Sequence, residues 1–226
     1  MISIIVPVLN EGERVTALSA YLEALSGKKE IIFVDGGSTD DTAQRVKVIK
    51  SAPGRARQMN QGAVGAKGDW LWFVHADSHV HSQSLQAIES CSGEWGAFTL
   101  AFDRPSLSMK MIAWGSNWRL KWRQVAFGDQ GIFVRRKTFE SLGGWVEMPL
   151  MEDYHWSLEM KVHGLRPEVI PLPIVTSARR FLGHPWSTVA VMQKLQRAYR
   201  KGGDACELAK EYESSCRPIQ KVGSVH

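Results

Sequence analysis

Ile2-Ser3-Ile4-Ile5-Val6-Pro7-Val8-Leu9-Asn10-Glu11 opens the chain, and Glu30-Ile31-Ile32-Phe33-Val34-Asp35-Gly36-Gly37-Ser38-Thr39-Asp40 follows it. Each is a short apolar run, rich in β-branched residues, that ends in polar turn residues. A run with little polar alternation suits a strand covered on both faces, as strands of parallel sheets are. Pro7 should stop the first strand, because proline has no backbone N–H to give the ladder. Between the two runs, Val15, Leu18, Leu22 and Leu25 recur at helical spacing, and Gly27 closes that helix. The chain therefore begins with a predicted βαβ unit.

Outward from this unit the alternation continues, which argues for a mostly parallel, Rossmann-like sheet flanked by helices. Ser38 and Asp41 form a Ser-x-x-Asp pattern that predicts a helix start. Val46–Lys50, Trp70–His75, Trp95–Phe102, Gly131–Arg135 and Val169–Leu172 are strand candidates, the last interrupted by prolines. Arg55–Ala66, Gln83–Ser90, Asp153–His163 and Ser187–Lys201 are helix candidates. Leu107, Met111, Trp114, Trp118 and Trp122 share one helical face and are expected to point into the core. The alternatives are an interfacial helix on an anionic membrane or a wall of a substrate pocket. Residues 1–212 are read as one domain with a C-terminal helical appendage, and 213–226 as a loose polar tail.

Composition narrows the function. The 226 residues are 44% hydrophobic and 23% charged, a globular balance, with a formal charge of +5 and a pI near 9.2. A basic surplus suits phosphorylated small molecules or anionic lipid as well as plain solubility. No nucleic-acid motif is present, so no nucleic-acid partner is expected. No apolar run approaches the ~18–20 residues of a membrane-spanning helix. Ile2–Val6 lacks the basic leader and cleavage site of a signal peptide. Cys91, Cys206 and Cys216 lack metal-ligand spacing and read as free thiols, so a cytoplasmic setting is expected.

In open α/β sheets, ligands bind beyond the carboxyl ends of the strands. Three such ends carry acids: Pro7, Val8, Leu9, Asn10 and Glu11 after the first, Asp35, Gly36, Ser38 and Asp40 after the second, and His75, Ala76 and Asp77 after Phe73. Asp35 can accept hydrogen bonds from a base or a ribose, or can order its own Gly-Gly turn. Val8-Leu9-Asn10-Glu11-Gly12 is not the Gly-x-Gly-x-x-Gly of a nicotinamide site, and no P-loop is present.

The two opening stretches resemble the start of family 2 glycosyltransferases of the GT-A fold. The likeness continues through Gly54-Arg55-Ala56-Arg57-Gln58-Met59-Asn60-Gln61-Gly62, Phe73-Val74-His75-Ala76-Asp77, Gly128-Asp129-Gln130-Gly131, Met151-Glu152-Asp153 and Thr176-Ser177-Ala178-Arg179-Arg180. Together these resemble a bacterial subgroup of transferases associated with radical-SAM and selenium domains. The resemblance implies a nucleotide-diphosphate sugar donor, UDP- or GDP-linked, and a hydroxyl acceptor, lipid-linked acceptors included. It implies Mg²⁺ or Mn²⁺ at Asp77, with His75 and His184 as further candidate ligands. It implies nucleotide contacts from the two loops and from Arg55, Arg57 and Asn60. Asp153, beside Glu152, would be the base that takes the acceptor proton, although acids at a helix start also serve as caps. Gly128, Asp129 and Gln130 would face the sugar or acceptor, and Arg179 and Arg180 the diphosphate.

Two departures stand out. The family's Asp-x-Asp reads His75-Ala76-Asp77, and its Ala-Arg-Asn-x-Gly stretch has lost an arginine at Gln58-Met59-Asn60. The Gln-x-x-Arg-Trp signature of processive synthases is missing, so a single transfer is expected. A sugar-phosphate nucleotidyltransferase and a non-catalytic sugar-nucleotide binding protein are the alternatives.

Overall fold

The computed structural model describes residues 1–215. A seven-stranded sheet, in the order β3-β2-β1-β4-β6-β5-β7, is built from Val48–Lys50, Lys29–Asp35, Ile2–Val8, Trp70–Phe73, Phe133–Arg135, Trp95–Phe102 and Glu168–Thr176. Only β6 runs antiparallel to its neighbours. The mixed α/β domain with a mostly parallel sheet is the architecture expected from the sequence.

Both faces of the sheet are covered, as the unbroken apolar runs require. Ile2, Ile4, Val6 and Val8 of β1 pack with Val15, Leu18 and Leu22 of α1 (Gly12–Ala24) and with Leu85 and Ile88 of α4 (Ser84–Glu89). Ile5 turns to the other layer. There it meets Ala56 and Met59 of α3 (Arg55–Val64), Phe139 of α6 (Arg136–Ser141) and Trp156 and Met160 of α7 (Glu152–Val162). Phe73, Phe139, Trp145 and Trp156 stack in one aromatic cluster in this layer.

Several local expectations change. β1 runs through Pro7 to Val8 and stays in register with β2. The Ile5 carbonyl accepts from Val74, so odd positions of β1 face β4, and that pairing has ended at Ile5–Phe73. Proline's missing N–H therefore falls where no ladder bond is required. β7 likewise runs through Pro171 and Pro173, because it is an edge strand with a shifted register between Phe98 and Thr99 of β5. Ser38 caps no helix: α2 starts at Thr42 and spans only Thr42–Arg45, since Ser38 is bound to Asp35 and Asn10.

The tryptophan stripe does not face the core. α5 (Leu107–Trp118) continues into a π-helical turn, Arg119–Arg123, and buries Met109 and Leu120 while Leu107, Met111, Trp114, Trp118 and Trp122 face outward. At the C-terminus, α8 (Pro185–Arg200) packs on α9 (Ala205–Ser215), so residues 213–215 end a helix and the remainder of the expected tail lies outside the described residues. Cys91 is buried and Cys206 exposed, both as free thiols, while Cys216 is beyond the described part. Among the described residues no helix is long and apolar enough to cross a membrane.

Candidate active site

The ends of β1 and β2 are interlocked. Asn10 adopts a left-handed conformation (φ 55°), uncommon for a residue with a side chain, and is held there by its bonds. Its N–H donates to Ser38 Oγ at 2.9 Å, and its Oδ1 accepts from the Thr39 N–H at 2.8 Å. Asp35 is nearly buried and accepts from the Gly37 and Ser38 N–H groups, each at 3.2 Å, and from the Ser38 hydroxyl. Its oxygens order their own loop, and Gly37 (φ 96°) permits the turn. Asp40 accepts from the Gly12 N–H at 3.1 Å and from Thr42, bonds that hold its carboxyl below the usual range.

Gln58 was not among the expected site residues, yet it joins the two strand ends. Its Nε2 donates to the carbonyls of Val8 (2.9 Å) and Val34 (2.8 Å). The available signal was a polar residue on the buried face of α3, between Ala56 and Met59. Arg57 and Asn60, three apart and so on another face, turn to the segment before α7. Arg57 pairs with Glu147 at 2.9 Å, and Asn60 exchanges two hydrogen bonds with the Trp145 backbone. Both expected nucleotide contacts thus have partners within the fold, Arg57 in a half-exposed ion pair.

Beside this loop lies a charged cluster. Arg179, in the turn Ala178–Phe181, places Nη2 3.1 Å from Asp77 Oδ2 and 3.8 Å from Glu11 Oε1, while Arg14 donates to Glu11 Oε2 at 2.7 Å. A guanidinium between two carboxylates marks a spot that favours a cation. Among the described residues no group of three metal-ligating side chains gathers, so Asp77, His75 and His184 do not form a cage. That donor set suits Mg²⁺ or Mn²⁺ only if phosphate oxygens and waters complete the shell, which is how these hard ions are commonly held. Arg180 holds its guanidinium 5.4 Å from the centre of the Tyr212 ring, near enough to act on both His75 and Asp129.

The third part is the start of α7. Met151 is left-handed (φ 73°) and turns the chain so that Glu152 and Asp153 open the helix on opposite sides. Glu152 goes inward and pairs with Arg55 at 3.0 Å; burial pushes its carboxyl up against the opposing pull of Arg55. Both are occupied in positioning the helix start. Asp153 instead accepts the Gly128 N–H at 2.8 Å through Oδ2 and its neighbour's N–H, from Tyr154, at 2.7 Å through Oδ1. Gly128 is needed here, because a Cβ would strike His75 Nε2. That nitrogen is buried without a partner, and burial, with Arg55 and Arg180 nearby, lowers the pKa of His75 well below its usual value. His75 is therefore neutral and faces the Gly128–Asp153 loop.

Arg119 is a second residue the sequence did not single out. It stacks over Phe127 at 4.0 Å and donates to Gln130 Oε1 at 3.2 Å and to the Val125 carbonyl at 3.3 Å. Burial lowers its pKa to about 10. Gln130 is fully buried and bonds the Phe98 carbonyl and the Phe127 N–H, so it braces the loop. Asp129 leaves Oδ1 buried without a partner. Burial raises its carboxyl to about 6, with Arg119 opposing and Asp153 adding to the shift.

A carboxyl that ionises less readily in the fold than in the unfolded chain adds stability below about pH 4 and loses it as pH rises through about 6. Asp129→Asn should therefore raise stability above pH 6 by about 3 kcal/mol, at ~1.4 kcal/mol per pKa unit. The gain should vanish in acid. Denaturant melts across this range check it; an equal effect at every pH would contradict the burial account.

A mostly parallel sheet with interlocked strand-end loops on which the polar residues gather has the form of a GT-A fold. Residues 3–90 match the family described as Glycosyl transferase family 2. A Mycobacterium tuberculosis protein named PGL/p-HBAD biosynthesis glycosyltransferase is 28% identical over 162 residues, covering 63% of this chain and 62% of its own length. Among solved structures, a mannosyltransferase from Pyrobaculum calidifontis in complex with GDP-Man and Mn²⁺ superposes with a TM-score of 0.70 at 18% identity, covering 95% of this chain and 68% of the other. The Mycobacterium tuberculosis glucosyl-3-phosphoglycerate synthase in complex with Mn²⁺ and UDP-glucose gives 0.62 at 17% identity, over 90% and 79%. The family match covers the first strands and loops of the chain. The match spans about three fifths of the length of the curated relatives.

Proposed function

We propose that the protein is an inverting glycosyltransferase that moves one sugar from a UDP- or GDP-linked donor to a hydroxyl acceptor. The observation that carries this is the placement of Asp153. Its carboxylate is fixed by the Gly128 N–H beside neutral His75, and Asp129 in the same loop feels the charges of both Asp153 and Asp77. Inversion by one displacement needs a base for the attacking hydroxyl, and Asp153 would serve as that base. The interlocked Asn10 and Asp35–Asp40 loops form the floor for the nucleoside. Arg179 is the forked donor within reach of a leaving diphosphate, provided it leaves Asp77.

Asp77, with Glu11 close by, would hold Mg²⁺ or Mn²⁺ together with donor oxygens. When bound, the ion would neutralise charge that builds on the leaving diphosphate. The donors in complex with the structural neighbours, GDP-Man and UDP-glucose, support the donor class. A thermal-shift screen tests it. UDP or GDP with Mn²⁺ should raise the melting temperature by several degrees, as ligand at about a hundred times its Kd adds ~2.7 kcal/mol. No shift with any nucleoside diphosphate would end the donor-site proposal.

A further inference from the structure

Helix α5 presents Leu107, Met111, Trp114 and Trp118 at spacings of four, three and four, and the π-helical turn adds Trp122 after four more. These residues lie opposite buried Met109 and Leu120, and the three indoles are 70%, 43% and 65% exposed. Single exposed apolar residues are ordinary; a continuous stripe of this size marks an interaction surface. Leu182, also exposed, lines a groove with Ser108, Met109 and Pro185 along another side of α5.

Charge identifies the partner. Between Asp103 and Asp129, and again between Glu168 and Asp204, the chain carries lysines and arginines but no acidic residue. These two stretches pack on each other: Met109, Ile112 and Ala113 meet Phe181, Val189 and Met192. Lys110 and Lys121 flank the stripe. Lys121 Nζ lies 5.5 Å from the centre of the Trp122 ring, and the Arg123 guanidinium 5.6 Å from that of Trp118. Among the described residues no carboxylate forms an ion pair with Lys110, Lys121 or Arg123. A second copy docked by two-fold symmetry would bring these cations together, which is unfavourable.

We propose that this face docks in the plane of an anionic lipid bilayer, with the indoles at headgroup depth and the flanking cations on lipid phosphates. Tryptophan favours the membrane–water interface, and cations beside an apolar stripe are what draw an amphipathic helix to anionic lipid. The docked turn also contains Arg119, which braces the Phe127–Gln130 loop beside Asp153. Bilayer contact would thus lie at the edge of the candidate acceptor side. The docking itself does not depend on the chain being a transferase.

Vesicle co-sedimentation of the full chain is the test, using phosphatidylcholine vesicles with and without phosphatidylglycerol. Binding to the anionic vesicles with a blue shift of tryptophan emission is expected, because Trp70, Trp72, Trp95, Trp145 and Trp156 are already buried. The triple change Trp114→Ser, Trp118→Ser, Trp122→Ser should weaken binding roughly tenfold or more. Lys110→Glu with Lys121→Glu, a surface change that leaves packing untouched, should do so by about the same factor and remove the preference for anionic lipid. Absence of vesicle binding, or binding indifferent to both sets of changes, overturns the proposal. So does dimerisation in sedimentation velocity that the tryptophan changes abolish without any vesicle binding. A nucleotide thermal shift on the same samples reports the donor site separately, so failure of one proposal is distinguishable from failure of the other.

Discussion

Asp153→Asn should lower kcat by about 10²–10⁴-fold, the usual contribution of a positioned general base. Donor binding should stay close to the original. The amide oxygen can still accept the Gly128 N–H that now reaches Oδ2 at 2.8 Å, so the loop keeps its anchor. Charge and basicity are lost while shape is kept, and the loss should fall on kcat more than on the donor KM. The change also leaves the Arg55–Glu152 pair intact, so the start of α7 keeps its inward tie. Steady-state kinetics with saturating donor, beside a nucleotide thermal shift, check it. Turnover within a few-fold of the original enzyme would remove Asp153 as the base and return it to the role of a helix-start acid.

Asp77→Ala should have the second-largest effect. If the ion supplies several kcal/mol to the departing diphosphate, kcat/KM should fall by about 10²–10³-fold, at ~1.36 kcal/mol per tenfold. Stability should change little, since the Asp77–Arg179 pair is partly exposed and such pairs are worth about 1 kcal/mol or less. The informative outcome lies in binding. The Mn²⁺-dependent part of the nucleotide thermal shift should disappear, while the metal-free part survives or grows because Arg179 is freed for phosphate. A shift that keeps its Mn²⁺ dependence would place the ion on other residues.

Much of this was visible in the chain. The runs at Ile2–Val6 and Glu30–Val34 are so apolar that only a doubly covered strand accommodates them, and β1 and β2 each lie inside the sheet with a strand on either side. The polar residues just beyond them had to fall at the strand ends, and they do interlock there. What failed was local grammar applied without tertiary context. Ser38-x-x-Asp41 has the form of a cap, but the Ser38 hydroxyl is claimed by Asp35 and Asn10 across the loop. Proline reads as a strand stop, yet Pro7, Pro171 and Pro173 all sit in strands where their missing donor has no partner to miss.

The site divides in the same way. Asp153 and Asp77 could be picked from sequence because their type and setting are chemical. Arg55, Arg57, Asn60 and Gln130 could not be sorted from sequence, because a long polar side chain serves ligand or scaffold according to which partner is nearer. Glu152, Glu147, Trp145 and Phe98 were nearer. Gln58 and Arg119 escape a sequence reading because their partners carry no side-chain signal: carbonyls at two distant strand ends for Gln58, and the carbonyl of Val125 with the loop after it for Arg119.

The sequence by itself determined the two-sided sheet, the positions of its strand-end loops and the acids available for chemistry, since apolar periodicity and turn residues act over a few neighbours. Only the tertiary structure decided which acids are open and which are paired, and which face of the tryptophan helix is buried. One stripe at 3.6-residue spacing satisfies a core or a surface equally well. Met109 and Leu120 on the opposite face won the core contacts, and the indoles were left outside.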